Sequence, residues 1–148
     1  MAEDAGAEND RQRERLQTLG AGLRPGDWQR TLPGGWTVKA AFVHLGFWDR
    51  MSLEQLERYE QTGVQQVRHE VEQLNRVVAA LAEHLSPAQA LEWATLSARA
   101  VDDKVRALSP SLTAEILAKD TPRRIHRHLH RREHLDRVEQ LLRGQGSR

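Results

Sequence analysis

His130-Arg131-Arg132-Glu133-His134-Leu135-Asp136-Arg137-Val138-Glu139-Gln140-Leu141 reads as one amphipathic α-helix. His130, His134, Val138 and Leu141 follow one another in steps of four, four and three residues, which draws a single stripe along the helix. A stripe that ends in Val and Leu is an inward face, so the two imidazoles that precede them are expected to point inward as well. Buried imidazoles one turn apart need a partner, because an unpaired polar group in a core is costly. A metal ion is the partner that best fits two neutral imidazoles at this spacing.

The rest of the chain supplies further helices for this one to pack against. Period-two runs of β-branched residues are absent and long 3.6-period segments dominate. A first helix is expected from about Asn9 to Leu19, ending at Gly20 and Gly22, followed by a Gly/Pro-rich loop over residues 25–35 onto which Trp28 packs. The second helix starts at Thr37 as N-cap and ends at Thr62-Gly63, with Val38, Phe42, Leu45, Leu53 and Leu56 inward and His44, Trp48 and Met51 beside them. A third helical segment spans 64–85. Ser86-Pro87 with Gln89 then forms a clean start signal for a helix to about Leu108. Ser109-Pro110 opens a short piece up to Lys119, and Asp120-Thr121-Pro122 caps the last helix, which runs to Arg143. The expectation is an all-α four-helix bundle with additional short helical connections. Residues 1–8 are read as a disordered lead-in, 9–143 as a single domain and 144–148 as a tail.

At 148 residues the chain can bury a real core without staples. It has no cysteine, so disulfides and thiolate ligands are excluded and any metal must be held by nitrogen and oxygen. No apolar run approaches the roughly 20 residues of a membrane span and no signal peptide is visible, so no membrane partner is expected and a cytoplasmic location is. The formal net charge is only +1, with acids and bases interspersed, which argues against a general polyanion binder. Lys39, Lys104 and Lys119 are the only lysines among many arginines, a bias that with abundant alanine suggests a GC-rich bacterial genome.

Of seven histidines, His126, His128, His130 and His134 lie within nine residues. His126, His130 and His134 step around the helix by about 40° per four residues, whereas His128 points to the opposite side and is read as solvent-exposed. His44 falls on the buried arc of its helix with Trp48 one turn on. His69 and His84 have no partner at ligand spacing and are read as surface residues. The string His-x-x-Glu-His matches the inverted zinc-protease signature. That reading is rejected, because only 14 residues follow His134 and no strand is predicted to line a cleft.

Gly35-Trp36-Thr37-Val38, leading into His44-Leu45-Gly46-Phe47-Trp48-Asp49-Arg50, combines with His130-Arg131-Arg132-Glu133-His134-Leu135-Asp136 in a pattern that resembles the DinB/YfiT superfamily of four-helix bundles. That superfamily includes bacillithiol transferases and the N-terminal domain of mycothiol-dependent maleylpyruvate isomerase. The resemblance covers residues 9 to 143. It implies a three-histidine divalent-metal site formed by His44, His130 and His134, at one end of the bundle and with an open position. The larger isomerases carry a second domain absent from this sequence, so their specific activity does not transfer. His126 has no certain counterpart and is read as a hydrogen-bond donor to the site or a wall of its pocket.

Three imidazoles with an open position form the pattern of a catalytic rather than a purely structural site. The expected function is activation of water or a low-molecular-weight thiol, such as mycothiol or bacillithiol, against a small organic substrate. The resemblance favours a thiol-dependent transferase or related detoxification enzyme; isomerase and hydrolase chemistry stay open. Zn, Ni and Fe all accept such ligands, so the ion is not specified. Glu133 either orients an imidazole N–H or pairs with an arginine at the surface; Asp49, beside Trp48, either supports the site in a similar way or is a solvated charge. No catalytic residue is assigned. The competing readings are a non-catalytic bundle that binds or sequesters a small molecule, and a nucleic-acid binder. The latter is disfavoured because Glu133, Asp136 and Glu139 interrupt the arginines and no aromatic is interleaved with them. A homodimer is compatible with the bundle.

Overall fold

The computed structural model describes residues 2–146. Its helices are α1 (Ala2–Gly22), α2 (Val38–Thr62), α3 (Val71–Ala82), α4 (Pro87–Ala107), α5 (Pro110–Lys119) and α6 (His128–Gly146), with short 3₁₀ turns at Pro25–Gln29 and Pro122–Arg124. The boundaries follow local chemistry. Thr37 Oγ1 accepts the Ala40 N–H at 3.0 Å to open α2, and Gly63 ends it at φ 83°, a conformation that residues with a Cβ avoid. Ser86 and Gln89 form the reciprocal capping box ahead of α4, with Pro87 in its first turn.

Side-chain pairs give the helix directions. Arg13 meets Asp102 and Arg106 meets Asp10, so α1 and α4 are antiparallel. Arg50 meets Ser97 and Lys104 meets Glu60, so α2 and α4 run parallel. Asn9 meets His128 and Arg15 meets Asp136, so α6 is parallel to α1; His44 meets His130 and Asp49 meets Arg127, so it is antiparallel to α2. The four long helices therefore close a ring in the order α1, α4, α2, α6. Parallel neighbours cannot be joined by a tight turn, so the chain needs a return crossover between α2 and α4. Residues 63–86 provide it, and α3 rides along the outside of α2.

Two apolar clusters fill the bundle. One contains Leu16, Trp28, Phe42, Leu45, Ala94, Leu135 and Val138; the other contains Ala5, Leu56, Tyr59, Val101, Ile116 and Ile125. Each large side chain buried there contributes about 1.5–3 kcal/mol relative to exposure. The α2/α4 approach depends on Gly46, where a Cβ would sit 2.4 Å from Trp93 Nε1, while that indole donates to Val43 O at 3.1 Å. Trp93 is thus half-buried packing, as its helical spacing indicated.

Four expectations are corrected. The helix placed from Asn9 begins at Ala2, and Ala5 is fully buried, so residues 5–8 belong to the bundle rather than to a disordered lead-in; Met1 lies outside the described residues. The segment expected to be helical over 64–85 is helical only from Val71, because Gly63 turns the chain away and 64–70 run exposed or half-buried along the outside, with Gln66 donating to Lys119 O. The last helix starts at His128, after the Pro122–Arg124 turn, and continues to Gly146; residues 147–148 of the expected tail lie outside the described residues. Finally, the central buried stripe of α6 is His128, Arg131, Leu135 and Val138, with Arg127 buried just before the helix and Leu141 only half-buried. His130 and His134 therefore flank the core and face its side.

Candidate metal centre

α2 carries His44 two turns in from its cap, and α6 carries His130 and His134 on adjacent turns, so the antiparallel packing of these helices brings the three rings together. One ring nitrogen from each lies within 4.8 Å of the other two. His44 Nε2 and His130 Nε2 are 3.0 Å apart, and the ring centroids are 4.7–4.9 Å apart. Among the described residues this is the one cluster of histidine and carboxylate groups that could hold a metal ion.

The site favours neutral rings. Burial, reinforced by His134 and Arg127, pushes the His44 pKa down to about 3. Burial and the charge of Arg127 hold His130 well below its ordinary value. His134 is pushed down to about 4 by burial and Arg137, against the opposing pull of Glu133. Neutral imidazoles are the form that ligates a metal. The donor set fits an ion of borderline softness: three nitrogens converge, and His44 Nδ1 and His130 Nδ1 are buried with no hydrogen-bond partner among the described residues. The nearby cations do not stand alone, since Arg127 is paired with Asp49 at 2.9 Å and Arg137 with Glu133 at 3.7 Å.

Aromatic walls surround the rings. Trp36, just before the α2 cap, lies 4.5 Å from His44 between centroids and stacks on His134 at 6.2 Å. Trp48 meets His44 edge-on at 6.5 Å and donates through Nε1 to Asn75 Oδ1 of α3 at 2.8 Å. The cluster opens into a cavity of about 580 Å³, whose other walls include Ser52, Val71, Thr121, Arg123 and Arg127. A larger hollow of about 850 Å³ between α1, α4 and α5 contains none of the histidines.

The remaining sequence-predicted residues divide. Trp48 lines the cavity as expected. Glu133 reaches the rim but hydrogen-bonds no imidazole; it pairs with Arg123 at 3.3 Å, which is the surface alternative. Asp49 is neither a solvated charge nor a histidine partner: it is fully buried, and it binds Arg127 and Arg131. His126 is not among the residues that wall the pocket; its Nδ1 lies 3.2 Å from His128 Nε2. His128, read as exposed, is buried, since α6 begins there and its N–H donates to Asn9 Oδ1 of α1. His84 is exposed, but His69 is half-buried against Trp48. Trp36, Asn75, Arg127 and Arg131 were missed. For the two arginines a signal existed: their spacing of four continues the Leu135/Val138 stripe.

A helical bundle whose second and last long helices converge three neutral imidazoles on one point fits a metal-binding protein of the DinB-like type. The chain belongs to the mycothiol maleylpyruvate isomerase N-terminal domain family, whose model matches residues 10–141, within the DinB/YfiT-like superfamily. No curated protein and no solved structure matches it. No helix among the described residues is long and apolar enough to cross a membrane.

Proposed function

We propose that His44, His130 and His134 hold a divalent metal ion, Zn, Ni or Fe, in a site that activates water or a low-molecular-weight thiol toward a small organic electrophile. The carrying observation is the convergence of three neutral ring nitrogens within 4.8 Å at the base of an open cavity. When bound, such an ion supplies Lewis acidity that lets water or a thiol lose its proton near neutral pH. The chain's own groups do the rest. Trp36 and Trp48 exclude bulk water from one side of the imidazoles, and Asn75 fixes the Trp48 indole. Ser52 and Thr121 line the cavity with groups able to orient a polar substrate, and Arg123 and Arg127 add positive charge at its wall.

The family description supports the thiol version, a thiol-dependent transferase or related detoxification enzyme, with mycothiol ahead of bacillithiol. The pairing of Arg132, Arg137 and Arg143 with Glu8, Glu133 and Glu139 supports a small-molecule partner over a polyanion. The test is elemental analysis of tag-free protein followed by thiol-consumption assays on a panel of electrophiles. Stoichiometric metal and thiol-dependent turnover are the expected results. Protein that takes up no divalent ion from a buffered solution refutes the site.

A further inference from the structure

Arg131 is the largest fully buried side chain in the described structure. Its Nε donates to Asp49 Oδ2 of α2 at 3.1 Å, and Nη1 to Asn9 O of α1 at 3.0 Å and Asp102 Oδ2 of α4 at 3.0 Å. Its Nη2 donates to Asp102 Oδ1 at 2.9 Å and Ala98 O at 3.4 Å. One guanidinium on α6 thus bonds to each of the other three long helices. Arg127, one turn earlier, donates to the second Asp49 oxygen at 2.9 Å and forms part of the cavity wall. Arg13 closes the network on Asp102 at 2.7 Å. The network lies between the two apolar clusters along α1 and α2, next to the histidines: Asp49 follows His44 on α2, and Arg131 lies between His130 and His134.

We infer that the Asp49–Arg131–Asp102 network is a positioning device that holds α6 in the one rotation and register against α2 at which the three imidazoles converge. The inference rests on the metal reading of the site. Apolar packing of Leu135 and Val138 is non-directional and tolerates sliding, whereas a guanidinium fork held by two carboxylates from different helices does not. A slip of one residue moves α6 by 1.5 Å and turns it by 100°, enough to carry both its histidines away from His44. Buried ionic groups are weak sources of stability, and fixing register is their best-attested use. Arg131 touches no ligand-binding atom; it acts through the placement of its neighbours.

The experiment compares wild type with two variants, Arg131→Met/Asp102→Asn and Asp49→Asn. The first removes one positive and one negative charge together and leaves Arg127 on Asp49. The second keeps the side-chain volume and one acceptor. Zn²⁺ affinity is measured by competition with a chromogenic chelator, beside the thermal melt and a metal-free crystal structure. At least one variant is expected to melt cooperatively while its Zn²⁺ affinity falls 10-fold or more, the range seen when groups supporting metal ligands are removed. Its ring nitrogens are expected to spread beyond 4.8 Å. If every variant that folds keeps wild-type affinity and unspread nitrogens, the inference is overturned, since a merely structural role lowers the melting temperature alone. If wild type takes up no Zn²⁺, the metal reading fails, and the nitrogen spacing in the variants decides the positioning role by itself.

Discussion

Acidifying the metal-free protein from about pH 7.5 to about pH 5 is expected to cost its fold at least about 4 kcal/mol. In the unfolded chain His44, His130 and His134 each titrate near about 6.5. Folded, they stay neutral, with His44 at about 3, His134 at about 4 and His130 well below its ordinary value. Above the unfolded value neither state holds these protons and stability is at its full level. As the pH falls below it, the unfolded chain gains protons that the native state refuses, so stability drops until the folded values are reached. At about pH 5 His44 and His134 each cost about 2 kcal/mol, about 4 together, against a total of about 5–15 kcal/mol for an ordinary domain, and His130 adds in the same direction. His128, also lowered by burial, adds in the same direction; Asp102, whose carboxyl burial raises, works in the opposite one. The assay is urea unfolding followed by circular dichroism at several pH values with chelator present. His134→Gln is expected to recover about 2 kcal/mol of the loss. A change smaller than about 2 kcal/mol over this range, a single ring's share, refutes the picture of three buried neutral imidazoles.

In the folded protein the same depressed values move proton competition away from about pH 6.5, where ordinary histidine ligands lose metal. Zn²⁺ affinity is therefore expected to stay level between about pH 7.5 and about pH 6, and a tenfold fall across that interval counts against it. His130→Ala or His134→Ala is expected to abolish stoichiometric metal, with His84→Ala as the unaffected control because His84 is exposed. Unchanged metal content after either site change defeats the assignment. Gly46→Ala drives a methyl into the Trp93 indole and is expected to lower stability by about 1–3 kcal/mol in chemical denaturation. Ser86→Ala, which removes the α4 cap, is expected to cost about 1 kcal/mol by the same measurement; no change there would show that the cap contributes nothing.

What the sequence revealed depended on how local each signal was. The Ser86-Pro87-Gln89 and Thr37 starts and the Gly63 stop are short-range hydrogen-bond and dihedral effects, and each appears where it was read. The His44/His130/His134 set was legible only through the family resemblance, because nothing in either helix alone states that α2 and α6 meet. The phase of α6 was misread because an arginine is ordinarily assigned to solvent. Arg131 is buried only because Asp49 and Asp102, 82 and 29 positions away, arrive to neutralise it. His128 went astray for the same reason: it stands three residues before Arg131 on the buried stripe, and its backbone N–H reaches Asn9 Oδ1 of α1.

The bonds of Arg131 also bear on how long the native state persists. Its guanidinium gains Asn9 O only when segments 122 positions apart in the chain have met, and it gains Asp49 and Asp102 only when α2 and α4 have docked. Interactions that require every element to be in place are expected to form late, after the rate-limiting barrier to folding. Disrupting them is expected to accelerate escape from the folded basin while leaving the speed of entry nearly untouched, which would make Arg131 a determinant of how long the intact bundle lasts.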